Sequence, residues 1–116
     1  MEFDNDLGQY FCEYEDLKFV WDDEPEDDVE ELVSRLADNY KSHLDSIIEF
    51  MLEDLNEFYD EEFSTNDVKK KLGQPVIDYE NGSVTYTDQS FDGDHIFSFE
   101  FTDDEFEELQ YFSIDG

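Results

Sequence analysis

The chain has 116 residues, and its 6 Lys+Arg stand against 36 Asp+Glu, giving a formal charge of −30. That field argues against direct nucleic-acid binding, since a duplex carries one negative charge per ~1.7 Å, and against anionic membrane surfaces. Half of the cations lie in the single run Lys69, Lys70 and Lys71, so no basic groove can be assembled.

The apolar residues alternate from Gln9 to Trp21, with Tyr10, Cys12 and Tyr14 in one phase and Leu17, Phe19 and Trp21 in the other. This is strand periodicity, and the slip at Glu15-Asp16 predicts two short strands joined by a turn, or one strand with a bulge. Asp23, Glu24 and Pro25 follow as helix-start signals. Apolar positions from Val29 through Leu36, Tyr40, Ile47, Met51 and Leu55 to Tyr59 then recur at helical spacing. They predict one long amphipathic acidic helix from about Glu26 to Tyr59, with Asp38-Asn39 as the place for a break. Ser64 or Thr65 caps a short second helix containing Val68 and Leu72, its lysine run favouring the helix C-terminus and Gly73 ending it before Pro75.

Beyond Pro75 the period falls to two. Val76 to Glu80, an Asn81-Gly82 hairpin turn, Ser83 to Thr87, His95 to Thr102 and Leu109 to Ile114 read as an antiparallel β-meander. The expectation is a single acidic α+β domain over residues 1–116. Twelve Phe, seven Tyr and Trp21 supply the apolar surface that acidic disordered segments lack. The same aromatic richness, with one alanine (Ala37), argues against mere salt adaptation. Cys12 has no partner for an internal disulfide, and the chain carries neither a signal-peptide pattern nor an apolar run of membrane length. A cytoplasmic protein is therefore expected.

The placement of the acids is the informative feature. On the long helix, Asp45, Glu49, Glu53, Glu57 and Glu61 recur at i, i+4, forming an exposed stripe with ~6 Å between neighbours. Like charges at that spacing destabilise a helix by ~0.2–0.5 kcal/mol per pair, so the row calls for a reason outside folding. Phosphates recur along a DNA strand at a similar distance, and a rigid carboxylate row can offer a basic groove the potential of DNA. A second cluster comprises Asp22, Asp23, Glu24, Glu26, Asp27, Asp28, Glu30 and Glu31, more than helix capping requires. The expected contact residues are Asp22, Asp23, Glu26, Asp27, Glu30, Asp45, Glu49, Glu53, Glu57 and Glu61.

Other chemistry finds little support. Asp88, Ser90, Asp92 and Gly93 imitate the start of a calcium loop, but the twelfth position is Phe99 where a bidentate Glu is required. His43 and His95 are far apart, Cys12 sits in an aromatic strand, and no phosphate loop, nucleophile elbow or zinc-helix motif occurs. No catalytic residue, metal or cofactor is expected, and the chain reads as a non-enzyme.

Size, charge and element order, with the segment Leu7-Gly8-Gln9-Tyr10-Phe11-Cys12-Glu13-Tyr14-Glu15-Asp16-Leu17 ahead of an acidic helix and aromatic hairpins, resemble the bacterial DNA-mimic proteins. Within these, the chain resembles specifically the small monomeric family that binds the histone-like nucleoid protein HU. The resemblance implies a cytoplasmic monomer, nucleoid-associated through its partner, that occupies the DNA-binding surface of HU and competes with DNA. The same charge fits an immunity protein that plugs a basic nuclease toxin, or an acidic chaperone with many weak cationic partners.

Overall fold

The computed structural model describes residues 2–6, 8–24, 29–92 and 94–115. Strand β1 (Glu2–Asp4) leads into the hairpin of β2 (Gln9–Tyr14) and β3 (Leu17–Trp21). Glu15 and Asp16 take φ of 50° and 69°, the two positive values that a tight I′ hairpin turn demands. The phase slip thus resolves as two strands and a turn. Pairing of Tyr10 with Trp21, Cys12 with Phe19 and Tyr14 with Leu17 brings both apolar triplets to one face. Strand β1 was not anticipated, because Phe3 is its lone apolar residue and is half-exposed.

Helices α1 (Val29–Ser42), α2 (Leu44–Tyr59) and α3 (Thr65–Lys71) follow, and then β4 (Pro75–Asp78), β5 (Ser83–Tyr86), β6 (Ile96–Phe101) and β7 (Leu109–Asp115). Pro25, Glu26, Asp27 and Asp28, where the long helix was expected to start, lie outside the described residues. The helix is two helices, and they part at His43 instead of Asp38-Asn39. Asp38 and Asn39 remain helical because Ala37 and Tyr40 beside them are buried in the core. At His43 (φ −108°, ψ 11°) both the backbone N–H and ring Nδ1 donate to the Asn39 carbonyl, at 3.1 and 2.9 Å. The Asn39 side chain in turn donates to the carbonyl of Asp104. In α3, Ser64 and Asp67 form a reciprocal capping box. Gly73 (φ +74°) leaves no room for a Cβ, which would meet the Asp88 carbonyl oxygen at 2.4 Å.

The strands form one seven-stranded sheet in sequential order. It is not a simple meander: two antiparallel runs, β1-β2-β3 and β4-β5-β6-β7, join through a parallel β3–β4 pair spanned by the helices. The β4–β5 loop holds Tyr79, Glu80, Asn81 and Gly82, two residues more than the expected Asn81-Gly82 turn, because Asp78 accepts from the Asn81 backbone and side chain. On one sheet face Phe19, Trp21, Ile77, Val84, Tyr86, Phe97, Phe99 and Phe101 pack beneath Val33, Leu36, Tyr40, Ile47, Ile48, Met51 and Leu55 of α1 and α2 in one core. Within it the hydroxyls of Tyr40 and Tyr86 satisfy each other at 2.5 Å. The opposite face is mixed: the cross-strand row Glu13, Lys18, Val76, Thr85, Ser98 and Ser113 is mostly polar, while Val20 on the same face is buried opposite Phe11. Helices therefore cover a single face. A bulge at Tyr111 (φ 55°) breaks the regular edge of β7, a device that discourages edge-to-edge pairing.

Candidate protein-binding surface

The outward side of α2 follows from its inward side. Ile47, Ile48, Met51 and Leu55 are fully buried, so Glu49, Glu53 and Glu57 project opposite the core, and all three are exposed. Among the described residues these three carboxylates have neither an ion pair nor a hydrogen-bond partner. Asp45 begins the row but is held by Lys69 Nζ at 3.1 Å. Glu61, expected as the fifth member, lies off the helix: Asp60 adopts the left-handed conformation (φ 53°), and Glu61 N–H donates back to the Asn56 carbonyl. The stripe is thus four residues on the helix, of which three are free of cations.

The remaining expected contacts sit elsewhere. Asp22 and Asp23 are exposed just beyond β3, and Glu30 is exposed in the first turn of α1. Glu26 and Asp27 lie outside the described residues. The parallel β3–β4 pairing brings in two acids that sequence reasoning missed, Asp78 and Glu80. Asp22 accepts from Gln9 Nε2 (3.0 Å) and Asn81 Nδ2 (3.3 Å), and Asn81 also donates to Asp78 (2.7 Å). Partial desolvation, then the charges of Asp23, Asp22 and Asp78, push the Glu80 carboxyl above the ordinary glutamate range. The only sequence signal for this patch was the hairpin at Asn81-Gly82, which did not say which strand lay beside β4.

No family model, curated protein or solved structure matches the chain. The surface must be read from its own chemistry.

Five of the six cations make a contact within the fold. Arg35 pairs with Asp104 at 3.2 Å, Lys41 with Glu15 at 3.0 Å and Lys69 with Asp45. Lys18 lies over the Phe11 ring at 4.8 Å, and Lys71 over Phe91 and Phe63 at 5.5 and 5.9 Å. Lys70 adds its charge to the field that favours ionised Asp67. Each of the first five ties one element to another, so the lysine run of α3 acts in packing, and little positive charge is left to offset the outer face of α2.

The histidines and the calcium-like loop are likewise absorbed. Asp92 accepts from Tyr59 OH (2.6 Å), His95 Nδ1 (2.8 Å), Gln89 Nε2 (3.1 Å) and the backbone N–H of Asp94 and His95. The Tyr59 bond above all holds the Asp92 carboxyl far below the usual range, while burial and then Asp92 push the Tyr59 phenol up. Among the described residues no cluster of His, Cys, Asp and Glu is arranged to hold a metal ion. The Cys12 thiol faces the helices, half-buried, and burial raises its pKa. Among the described residues no helix is long and apolar enough to cross a membrane.

Proposed function

We propose that the protein is a DNA mimic, whose carboxylates occupy the DNA-binding site of a basic DNA-binding protein and block or modulate its DNA binding. The observation that carries this reading is the row Glu49, Glu53 and Glu57. It is held by the buried face of α2, and among the described residues no ion pair neutralises it. The spacing of ~6 Å per step gives a partner's Lys and Arg side chains a periodic set of acceptors. Asp22 and Asp23, with Asp78 and Glu80, form a second negative area that adds to steering. HU is the favoured partner, on the resemblance in charge, size and element order, and the protein acts as a cytoplasmic monomer because surfaces of such charge repel one another. No catalytic step is assigned to it.

The test is a pull-down from bacterial lysate at low and moderate salt, with the recovered partner titrated against labelled duplex DNA. Recovery of HU or another DNA-binding protein, displaced from DNA at near one-to-one amounts and with affinity falling steeply in salt, supports mimicry. The triple reversal Glu49→Lys, Glu53→Lys and Glu57→Lys should abolish binding, by at least ~100-fold, with the circular dichroism spectrum retained. Recovery of a single nuclease would instead make the protein an immunity factor. Unchanged affinity of the triple variant would remove α2 from the interface.

A further inference from the structure

The junction of α1 and α2 and the β6–β7 loop enclose a cleft of about 400 Å³, lined by His43, Ser46, Phe50, Phe106, Glu107 and Leu109. Its aromatic walls are braced from behind. Phe50 stands edge-on to Phe99 at 6.0 Å and to Phe112 at 6.4 Å. Phe106 is buried, edge-on to Tyr40 at 5.7 Å and tilted against Phe101 at 4.8 Å. Neither ring has to be ordered when something enters. At the mouth the Glu107 carboxylate is 62 % exposed and lies 3.9 Å from His43 Nε2. Ser46 and Phe50 are each three residues ahead of a ladder acid, Glu49 and Glu53, so the cleft opens directly beside the unpartnered row.

We propose that this cleft receives an arginine side chain of the cationic partner, an inference that rests on the reading of α2 as a mimic surface. An arginine stem buries its methylenes against apolar walls, and its planar guanidinium stacks on an accessible ring, here Phe50, since Phe106 is buried, while a carboxylate accepts from it bidentately. A lysine ammonium is compact and strongly hydrated and gains less from such a slot. The volume lies within the range of pockets that hold ligands. The cleft lined by Glu15, Tyr40, Lys41 and Lys69 is unsuited to the same guest, because two ammonium groups already stand in it. In this arrangement the ladder attracts any cationic chain, and the cleft selects arginine at one position.

Octa-arginine and octa-lysine peptides separate the two effects, because their charge is equal. The wild-type protein should bind octa-arginine about tenfold more tightly, as expected of one well-seated anchor. Ser46→Trp, which fills the cleft without changing charge, should erase most of that preference and leave octa-lysine affinity unchanged. Glu107→Gln should weaken octa-arginine more than octa-lysine. Should Ser46→Trp lose its fold by circular dichroism, Phe50→Leu removes the ring while keeping an apolar wall, and should also erase the preference. Equal wild-type affinity for the two peptides, or a preference that survives these substitutions, overturns the arginine cleft while leaving the ladder in place. The ladder fails separately if the Glu49, Glu53 and Glu57 reversal loses neither peptide.

Discussion

The carboxylates of the loops and of the α3 cap look like those of α2 in the sequence and do opposite work. The Asp67 carboxylate accepts the Ser64 backbone N–H, and Asp92 accepts those of Asp94 and His95. Asp103 takes those of Glu105, Glu107 and Glu108, at 2.9, 3.1 and 2.8 Å. Partial burial opposes ionisation of Asp103, yet these bonds outweigh it and hold its pKa below the usual value. Glu49, Glu53 and Glu57 accept from no group among the described residues, and their mutual repulsion lowers stability. Acid density therefore conceals two populations: one closes turns that have few other donors or acceptors, and the other is available to a partner. Only the second should tolerate reversal of sign without harm to the fold.

The sharpest way to break that division is Asp92→Ala. It strips an acceptor from Tyr59, Gln89 and His95 together, and should lower the thermal midpoint by on the order of 5 °C or more. Asp103→Ala, which frees three backbone donors, should cost about 1 kcal/mol. Under the same calorimetric conditions the α2 triple reversal should leave the midpoint unchanged or raised. A loss for that variant comparable to Asp92→Ala would put the ladder among the structural acids.

The pH profile gives a second, smaller contrast. Asp67, Asp92 and Asp103 have lowered folded pKa values, so their stabilisation is complete above the unfolded value, near pH 4, and is lost as pH falls below it. Glu80 works in the other direction: its raised pKa gives a contribution present at low pH that disappears as it ionises. At the alkaline end, burial pushes Tyr40 up to about 12, a shift that its bond to Tyr86 only partly offsets. That contribution is intact below the unfolded phenol value near 10 and fades as pH climbs toward 12. Phenolate absorbance should therefore show a late step that coincides with loss of helical dichroism. Complete titration with the fold intact would contradict the buried pair.

Local signals carried much of this architecture. The slip at Glu15-Asp16, a cap at Ser64 or Thr65, Gly73 as a helix stop and the period-two run Phe97, Phe99 and Phe101 are each set by neighbours in sequence. What stayed hidden depends on partners far along the chain. The helix parts at His43, where Asn39 is engaged by the β6–β7 loop, and Ala37 and Tyr40 keep Asp38-Asn39 helical by burial. The parallel join of β3 to β4 rests on a crossover of three helices, and so the meeting of Asp22 with Asp78 and Glu80 was invisible. The site divides in the same way. Glu49, Glu53 and Glu57 follow from helical spacing, whereas the loss of Glu61 follows from a left-handed residue at Asp60, and the capture of Asp45 from where α3 docks.

The smallest expected effect tests the division most directly, through salt. Repulsion along α2 acts between exposed groups spaced at ~6 Å, comparable to the Debye length at moderate ionic strength, so added salt screens it. The hydrogen bonds of Asp103 to backbone N–H groups act at contact distance and respond far less. Raising NaCl from 0.01 M to 1 M should therefore stabilise the wild-type protein more than the neutral variant Glu49→Gln, Glu53→Gln and Glu57→Gln. The difference should be ~0.2–0.5 kcal/mol for each ladder pair removed. The deficit of Asp103→Ala should stay nearly constant over the same range. Urea denaturation at the two salt concentrations measures both quantities, because the linear slope reports the surface exposed and the midpoint carries the stability. If the glutamine variant keeps the full wild-type salt response, the destabilising repulsion belongs to the net charge of the molecule at large. The row on α2 would then lose its claim to be held in place by something other than folding.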